Sequence, residues 1–180
     1  MAKPTVASDW LTGCAGCHMS FLDIDERIVK LIELVDLRAT PITDLKEPDE
    51  EGVTVGILEG GINNTITEHV AKKMRSRSKI LVALGDCAVF GGIPAMRNFF
   101  TLEESLQRSY VEVPTADESR KIPSSPELAK PMRVRAVHEV VKVDLFVPGC
   151  PPDADIIFFV LSELAQGRMP KLENNNLMWN

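Results

Sequence analysis

The chain is predicted to be an α/β protein built on a doubly wound parallel sheet, and three observations carry that reading. Four short apolar runs stop abruptly at glycine, cysteine or acidic residues and lead into helix-like patterns, five candidate strands can be drawn in all, and all four cysteines stand just past such strands. Repeated strand-then-helix order is the mark of βα units, whose crossover helices cover the faces of a parallel sheet. With 180 residues, the chain is long enough for one sizeable core, since chains of roughly 150 residues bury close to 70% of their unfolded surface. A single domain over 1–180 is expected.

The first two candidate strands are Thr5 to Leu11 and Leu34 to Ala39. Between them, Ser20 to Leu34 carries Phe21, Ile24, Ile28 and Leu31, with Val35 just beyond, at mixed three- and four-residue steps, the stripe of an amphipathic helix. The third strand is Val53 to Leu58 (VTVGIL), followed by a helix over Asn64 to Met74 that repeats the stripe through Ile66, Val70 and Met74, with Asn63 or Asn64 as its cap. Ile80 to Leu84 (ILVAL) and Val143 to Val147 (VDLFV) complete the set. Pro152 suits the first turn of a last helix running through Leu164 and ending near Gly167. Its apolar stretch, Ile156 to Leu164, is far short of the roughly 20 residues that span a membrane, and reads as a buried core helix.

One connection departs from the alternation. Residues 92–140 form a long excursion between strands four and five, with a short helix at Thr101 to Arg108 and then the polar, proline-bearing segment VPTADESRKIPSSPELAKP. Such a connection is either a solvated excursion or a functional one, binding a partner or shaping an entry path. Repeats and low-complexity tracts are absent from the sequence.

Charge excludes some partners. The net charge of −6 gives no footprint for nucleic acid or for an anionic membrane surface. The opening MAKPTVASDW lacks the basic and apolar regions and the twin arginine of an export signal, so a cytoplasmic address is expected, without membrane insertion. Structural disulfides are then not expected.

Cys14 and Cys17 follow the first strand, Cys87 the fourth in ALGDCAVFGG, and Cys150 the fifth in FVPGCPP. In an open parallel sheet the carboxyl ends of the strands share one edge, the edge where ligands bind in doubly wound folds. Positions 60 to 70 residues apart in sequence therefore come together, and one four-thiolate site is the economical reading. Glu59, in ILEGGINN, ends the third strand on the same rim, either as an acidic helix cap or as part of the site. The many glycines around these positions let backbone amides approach sulfur or another chain closely. A C-x-x-C with two solitary cysteines, the last followed by proline, suits an iron-sulfur cluster better than the paired knuckles of structural zinc. Zinc stays open on spacing alone, and a redox dithiol accounts only for Cys14 and Cys17.

Taken together, CAGCHMSFLDIDE, EGGINN, LGDCAVFGGIPA and VPGCPPDAD resemble the small subunit of nickel-iron hydrogenases, in particular of bidirectional NAD-reducing enzymes, from Trp10 to about Pro170. The resemblance implies a flavodoxin-like domain in which Cys14, Cys17, Cys87 and Cys150 hold one proximal 4Fe-4S cluster. A related quinone-reductase subunit shares the domain but has adjacent cysteines in its first motif, and the separation of Cys14 from Cys17 favours the hydrogenase branch. Many relatives carry further clusters in a later region, whereas no cysteine follows Cys150 here. The partners implied are a large subunit that holds the nickel-iron centre and splits hydrogen, and diaphorase subunits with iron-sulfur and flavin groups that reduce NAD. Where relatives have an acidic residue two places after the second cysteine, this chain has Met19, so Glu59 becomes the candidate proton relay.

The remaining singled-out residues have ordinary readings beside functional ones. His18 could donate to a sulfur, line a proton route, or sit on a helix face with a local partner; His69 and His138 read as surface or loop residues. Trp10, Met19, Phe21, Phe90 and Ile93 could form an apolar face for the large subunit or pack in the core. Trp179 in the tail is expected to be exposed unless a partner covers it. Flavin is not expected on this chain, because CAGC stands where a phosphate-binding loop would follow strand one.

Overall fold

The computed structural model describes residues 3–44, 46, 48 and 50–173; Trp179 lies outside them. Seven strands are present among the described residues: β1 (Thr5–Trp10), β2 (Asp36–Ala39), β3 (Val53–Glu59), β4 (Ile62–Asn64), β5 (Ser78–Leu84), β6 (Pro131–Arg135) and β7 (Leu145–Val147). Five of them form one parallel sheet in the order β2-β1-β3-β5-β7. Counting only those five, the order is 2-1-3-4-5, that of the flavodoxin-like doubly wound fold. All five predicted strands are in it.

Helices α1 (Gly16–Leu22), α2 (Arg27–Leu34), α3 (Thr65–Arg77), α4 (Asp86–Phe90), α5 (Leu102–Gln107) and α6 (Ala154–Ala165) follow in chain order. Two cores result, one on each face of the sheet, because successive strand residues point to opposite sides. In β5, Val82 and Leu84 join Ile24, Leu31, Ile157 and Leu161 under α1, α2 and α6. Leu81 and Ala83 join Leu58, Met74 and Val89 under α3 and α4. Fully burying a side chain such as Leu58 contributes about 1.5–3 kcal/mol. At Gly56 on β3 an added Cβ would lie 2.1 Å from Ser78 Oγ, at the start of β5, and 3.0 Å from Met74 Sδ on α3, so the residue's lack of a side chain lets the end of α3 and the turn into β5 sit close on the sheet.

Three expectations need correction. The helix read over Ser20 to Leu34 is two helices, α1 starting earlier and α2 later, broken at Asp23–Glu26 where Asp25 takes φ 56. The apolar stripe is satisfied by both pieces because Ile24, at the break itself, is wholly buried; periodicity reports burial, not continuity. Within the 92–140 excursion, β6 returns to pair antiparallel with β4, so β3 leads into a strand before α3. Three- and five-residue strands joined across some 70 residues leave no local pattern. The rest of the excursion includes a 3₁₀ segment at Ile93–Phe99 and α5 extended by a π turn at Arg108–Glu112. A third, smaller shift is at β7, which starts at Leu145 rather than Val143 because the Asp144 carboxylate turns aside to accept from Leu81 N–H at 2.8 Å and to pair with Arg75.

Among the described residues no helix is long and apolar enough to cross a membrane.

Candidate metal centre

Sheet register decides where the site lies. Trp10 on β1 is opposite Glu59 on β3, Glu59 is opposite Leu84 on β5, and Leu84 is opposite Val147 on β7. These four residues form one row at the carboxyl edge. The loops leaving that row carry all four cysteines, as their sequence positions require.

Backbone hydrogen bonds fasten the loops to one another. Thr12 and Gly61 exchange N–H···O bonds of 2.9 and 2.8 Å, tying the Cys14 loop to the one after Glu59. Asp86 N–H donates to Gly149 O at 2.9 Å, and Gly149 N–H donates to the Asp86 carboxylate at 2.7 Å, which ties the Cys87 turn to the Cys150 turn. Cys14 and Cys150 are exposed on loops, Cys87 is partly covered in the first turn of α4, and Cys17 is buried in the first turn of α1.

The space around the sulfurs is kept free of side chains. A Cβ on Gly85 would lie 2.2 Å from Cys17 Sγ, one on Gly92 2.9 Å from Cys87 Sγ, and one on Gly16 3.1 Å from Cys14 Sγ. Gly85 also takes φ +82, a conformation L side chains rarely adopt. Any other residue at Gly85 would displace the Cys17 sulfur.

Electrostatics of the protein groups alone oppose thiolates here. Burial first, then the charge of Glu59 and the three other cysteines, push the Cys17 thiol far above its ordinary range. Cys87 is raised by burial as well, against a lowering bond from Ile93 N–H, with Cys150, Cys14 and Glu59 adding to the rise. The four thiols are thus close enough to repel as anions, and only added positive charge would let them ionise together. Among the described residues, no three His, Cys, Asp or Glu side chains converge closely enough to share one metal ion.

Glu59 does cap a helix, though not the one that follows its own strand. Cys17 N–H and His18 N–H donate to its carboxylate at 3.2 and 3.0 Å, so it caps α1, whereas α3 is capped by Asn64. His18 Nδ1 also pairs with the carboxylate, and His18 Nε2 lies 2.9 Å from Ser8 Oγ. Ser8 Oγ in turn donates to Thr40 Oγ1 at 2.8 Å. All four side chains are buried, Glu59 and His18 each only 3% exposed. Burial opposes the Glu59 charge, but the His18 hydrogen bond and charge, with the two backbone donors, outweigh it and lower the pKa. Neither ring nitrogen of His18 is left for a sulfur. Ser8 and Thr40 carried no sequence signal, being a strand serine and a turn threonine that the topology brings together.

Of the apolar residues expected near the rim, Trp10, Met19, Phe90 and Ile93 are exposed, while Phe21 on α1 is partly buried against the core. Met96, Phe99 and Phe100 extend the exposed set, Phe99 being 85% exposed. His69 and His138 are at the surface, with His138 edge-on to Phe146 at 5.8 Å.

Fold and site together define a class: a flavodoxin-like α/β domain presenting four cysteines, from three separate loops, at the carboxyl edge of its sheet. Residues 14–164 match the family described as NADH ubiquinone oxidoreductase, 20 Kd subunit. The chain belongs to that family. It is 43% identical over 169 residues to the NAD-reducing hydrogenase HoxS subunit delta of Cupriavidus necator, covering 92% of this chain and 80% of that one. It is 34% identical to a subunit of the F420-non-reducing hydrogenase of Methanothermobacter marburgensis, over 97% of this chain but 58% of the relative, so it spans a little over half of that protein. A chain in a crystal structure of an NAD+-reducing NiFe-hydrogenase in the H2-reduced state superposes with TM-score 0.94 at 37% identity, covering 99% of this chain and all of the other.

Proposed function

We propose that this chain is the electron-transferring small subunit of a cytoplasmic NAD-reducing nickel-iron hydrogenase, and that Cys14, Cys17, Cys87 and Cys150 hold one 4Fe-4S cluster. The observation that carries the reading is the meeting of four free cysteines from three loops at one sheet edge, with Gly16, Gly85 and Gly92 standing where a side chain would crowd the sulfurs of Cys14, Cys17 and Cys87. Bound iron would supply the positive charge that these mutually repelling thiols, two of them further raised by burial, need in order to ionise. When bound, such a cluster supplies one-electron transfer between the nickel-iron site of a large subunit and the iron-sulfur and flavin groups of a diaphorase module.

The chain's own residues then have definable work. The reciprocal bonds of Thr12 with Gly61 and of Asp86 with Gly149 hold the cysteine loops at fixed spacing. Glu59 holds the first turn of α1, and so the Cys17 backbone, against the sheet edge. Both of its oxygens are occupied and its pKa is lowered, which supports positioning over the proton-relay role also considered for it. Exposed Phe90, Ile93, Met96, Phe99 and Phe100 form an apolar surface suited to the large subunit.

Replacing one thiol is the direct test. In Cys150→Ala, iron content and hydrogen-dependent NAD reduction of the anaerobically purified complex should fall together, with less large subunit copurifying. Full iron, full activity and an intact complex would remove Cys150 from the ligand set. A stoichiometric zinc ion without iron or acid-labile sulfide in the unaltered protein would replace the cluster with a zinc-stabilised binding module.

A further inference from the structure

A cavity of about 50 Å³, measured as room for the centre of a water-sized sphere, lies between the sheet and helices α2 and α6. That is several times the roughly 10–15 Å³ a single water needs on the same measure. Its walls are almost wholly apolar, with Ile57 and Val82 contributed by the sheet and Leu31 and Val160 by the helices. Among the described residues its polar lining side chains are His18, Ser8 and Thr40.

Those three groups have little left to offer water. His18 is engaged by Glu59 at Nδ1 and by Ser8 at Nε2, and the Ser8 hydroxyl hydrogen goes to Thr40. A buried water requires two to four polar partners, and cavities lined by aliphatic side chains stay dry and accept xenon or benzene. Apolar side chains part the cavity from solvent. Ile32, Val35 and Leu37 line both it and a solvent-open hollow of about 550 Å³ beside β2, which is flanked by Lys3, Asp36 and Arg38. Ile32 at this shared wall is half exposed.

We infer that this cavity is a binding site for one small, uncharged, non-polar molecule of the size of a dissolved gas, entered past Ile32 and Leu37. The selectivity follows from the lining: ions and polar solutes would lose their hydration without gaining partners, while a non-polar guest regains dispersion contacts that the gap forfeits. Nothing in this assignment depends on which metal the cysteines hold.

Xenon is the probe. Crystals of the intact complex under xenon pressure should show a single xenon peak in this chain bounded by Ile57, Val82, Leu31 and Val160. Val160→Phe should lower its occupancy at least tenfold while leaving iron content unchanged, and Val160→Leu, a milder change should the larger side chain prevent assembly, should lower it in part. The inference is overturned if the unaltered complex takes up no xenon there, if ordered water bonded to His18, Ser8 or Thr40 fills the cavity instead, or if an assembled Val160 variant keeps full xenon occupancy.

Discussion

The Glu59 carboxylate receives three hydrogen bonds, two from the backbone of Cys17 and His18 and one from the His18 ring, in a setting that water scarcely reaches. Glu59→Gln keeps the size and one carbonyl oxygen but removes the charge, and it turns an NH2 group toward donors. Removing one partner of a buried charged pair costs about 3–5 kcal/mol; the retained oxygen offsets part of this, so roughly 3 kcal/mol is expected, which is about two orders of magnitude in the equilibrium for holding the α1 turn. The assay is the urea midpoint for iron release from the complex, measured beside hydrogen-dependent NAD reduction. Both should fall together. The pH dependence has a definite sign: because the folded pKa lies below the usual 4.5, the contribution is fully present at pH 7 and is lost as pH falls from about 4.5 through the folded value. The glutamine variant should lack that acid limb. Lost turnover with full iron and an unchanged urea midpoint would refute the positioning argument and make Glu59 a proton carrier instead.

Two further substitutions bear on the site and the surface. Gly85→Ala forces a Cβ to within 2.2 Å of Cys17 Sγ at φ 82 and ψ 161, a region kept essentially for glycine and costing other residues roughly 1–3 kcal/mol, so iron content should drop; Gly167→Ala, at φ +75 with open space around it, should carry a backbone cost alone and keep full iron. Phe99→Glu places a charge amid the exposed apolar residues and should weaken large-subunit copurification by at least tenfold, about 2 kcal/mol if Phe99 is a contact anchor, with iron content retained in the complex that does form; unchanged copurification would move the interface elsewhere.

The sheet and the cysteine edge were legible because their signals are local. VTVGIL and ILVAL are apolar runs that strands buried on both faces must have, and a parallel sheet puts their ends on one rim whatever the loops do. Placing Cys14, Cys17, Cys87 and Cys150 on that rim therefore needed only residues adjacent in the chain. What those thiols face, and what holds them, was decided by contacts between distant segments. Glu59 caps α1 rather than α3 because the Trp10–Glu59 register brings the start of α1 over the end of β3. The same juxtaposition buries His18 against Ser8, while the Ser20 hydroxyl donates to Pro152 O at 2.5 Å across 132 positions. The break at Asp23–Glu26 and the pairing of β4 with β6 are likewise set by packing. A hydrogen bond between residues 41 or 132 positions apart leaves no periodicity in either segment, so it exists as information only once the chain has closed on itself.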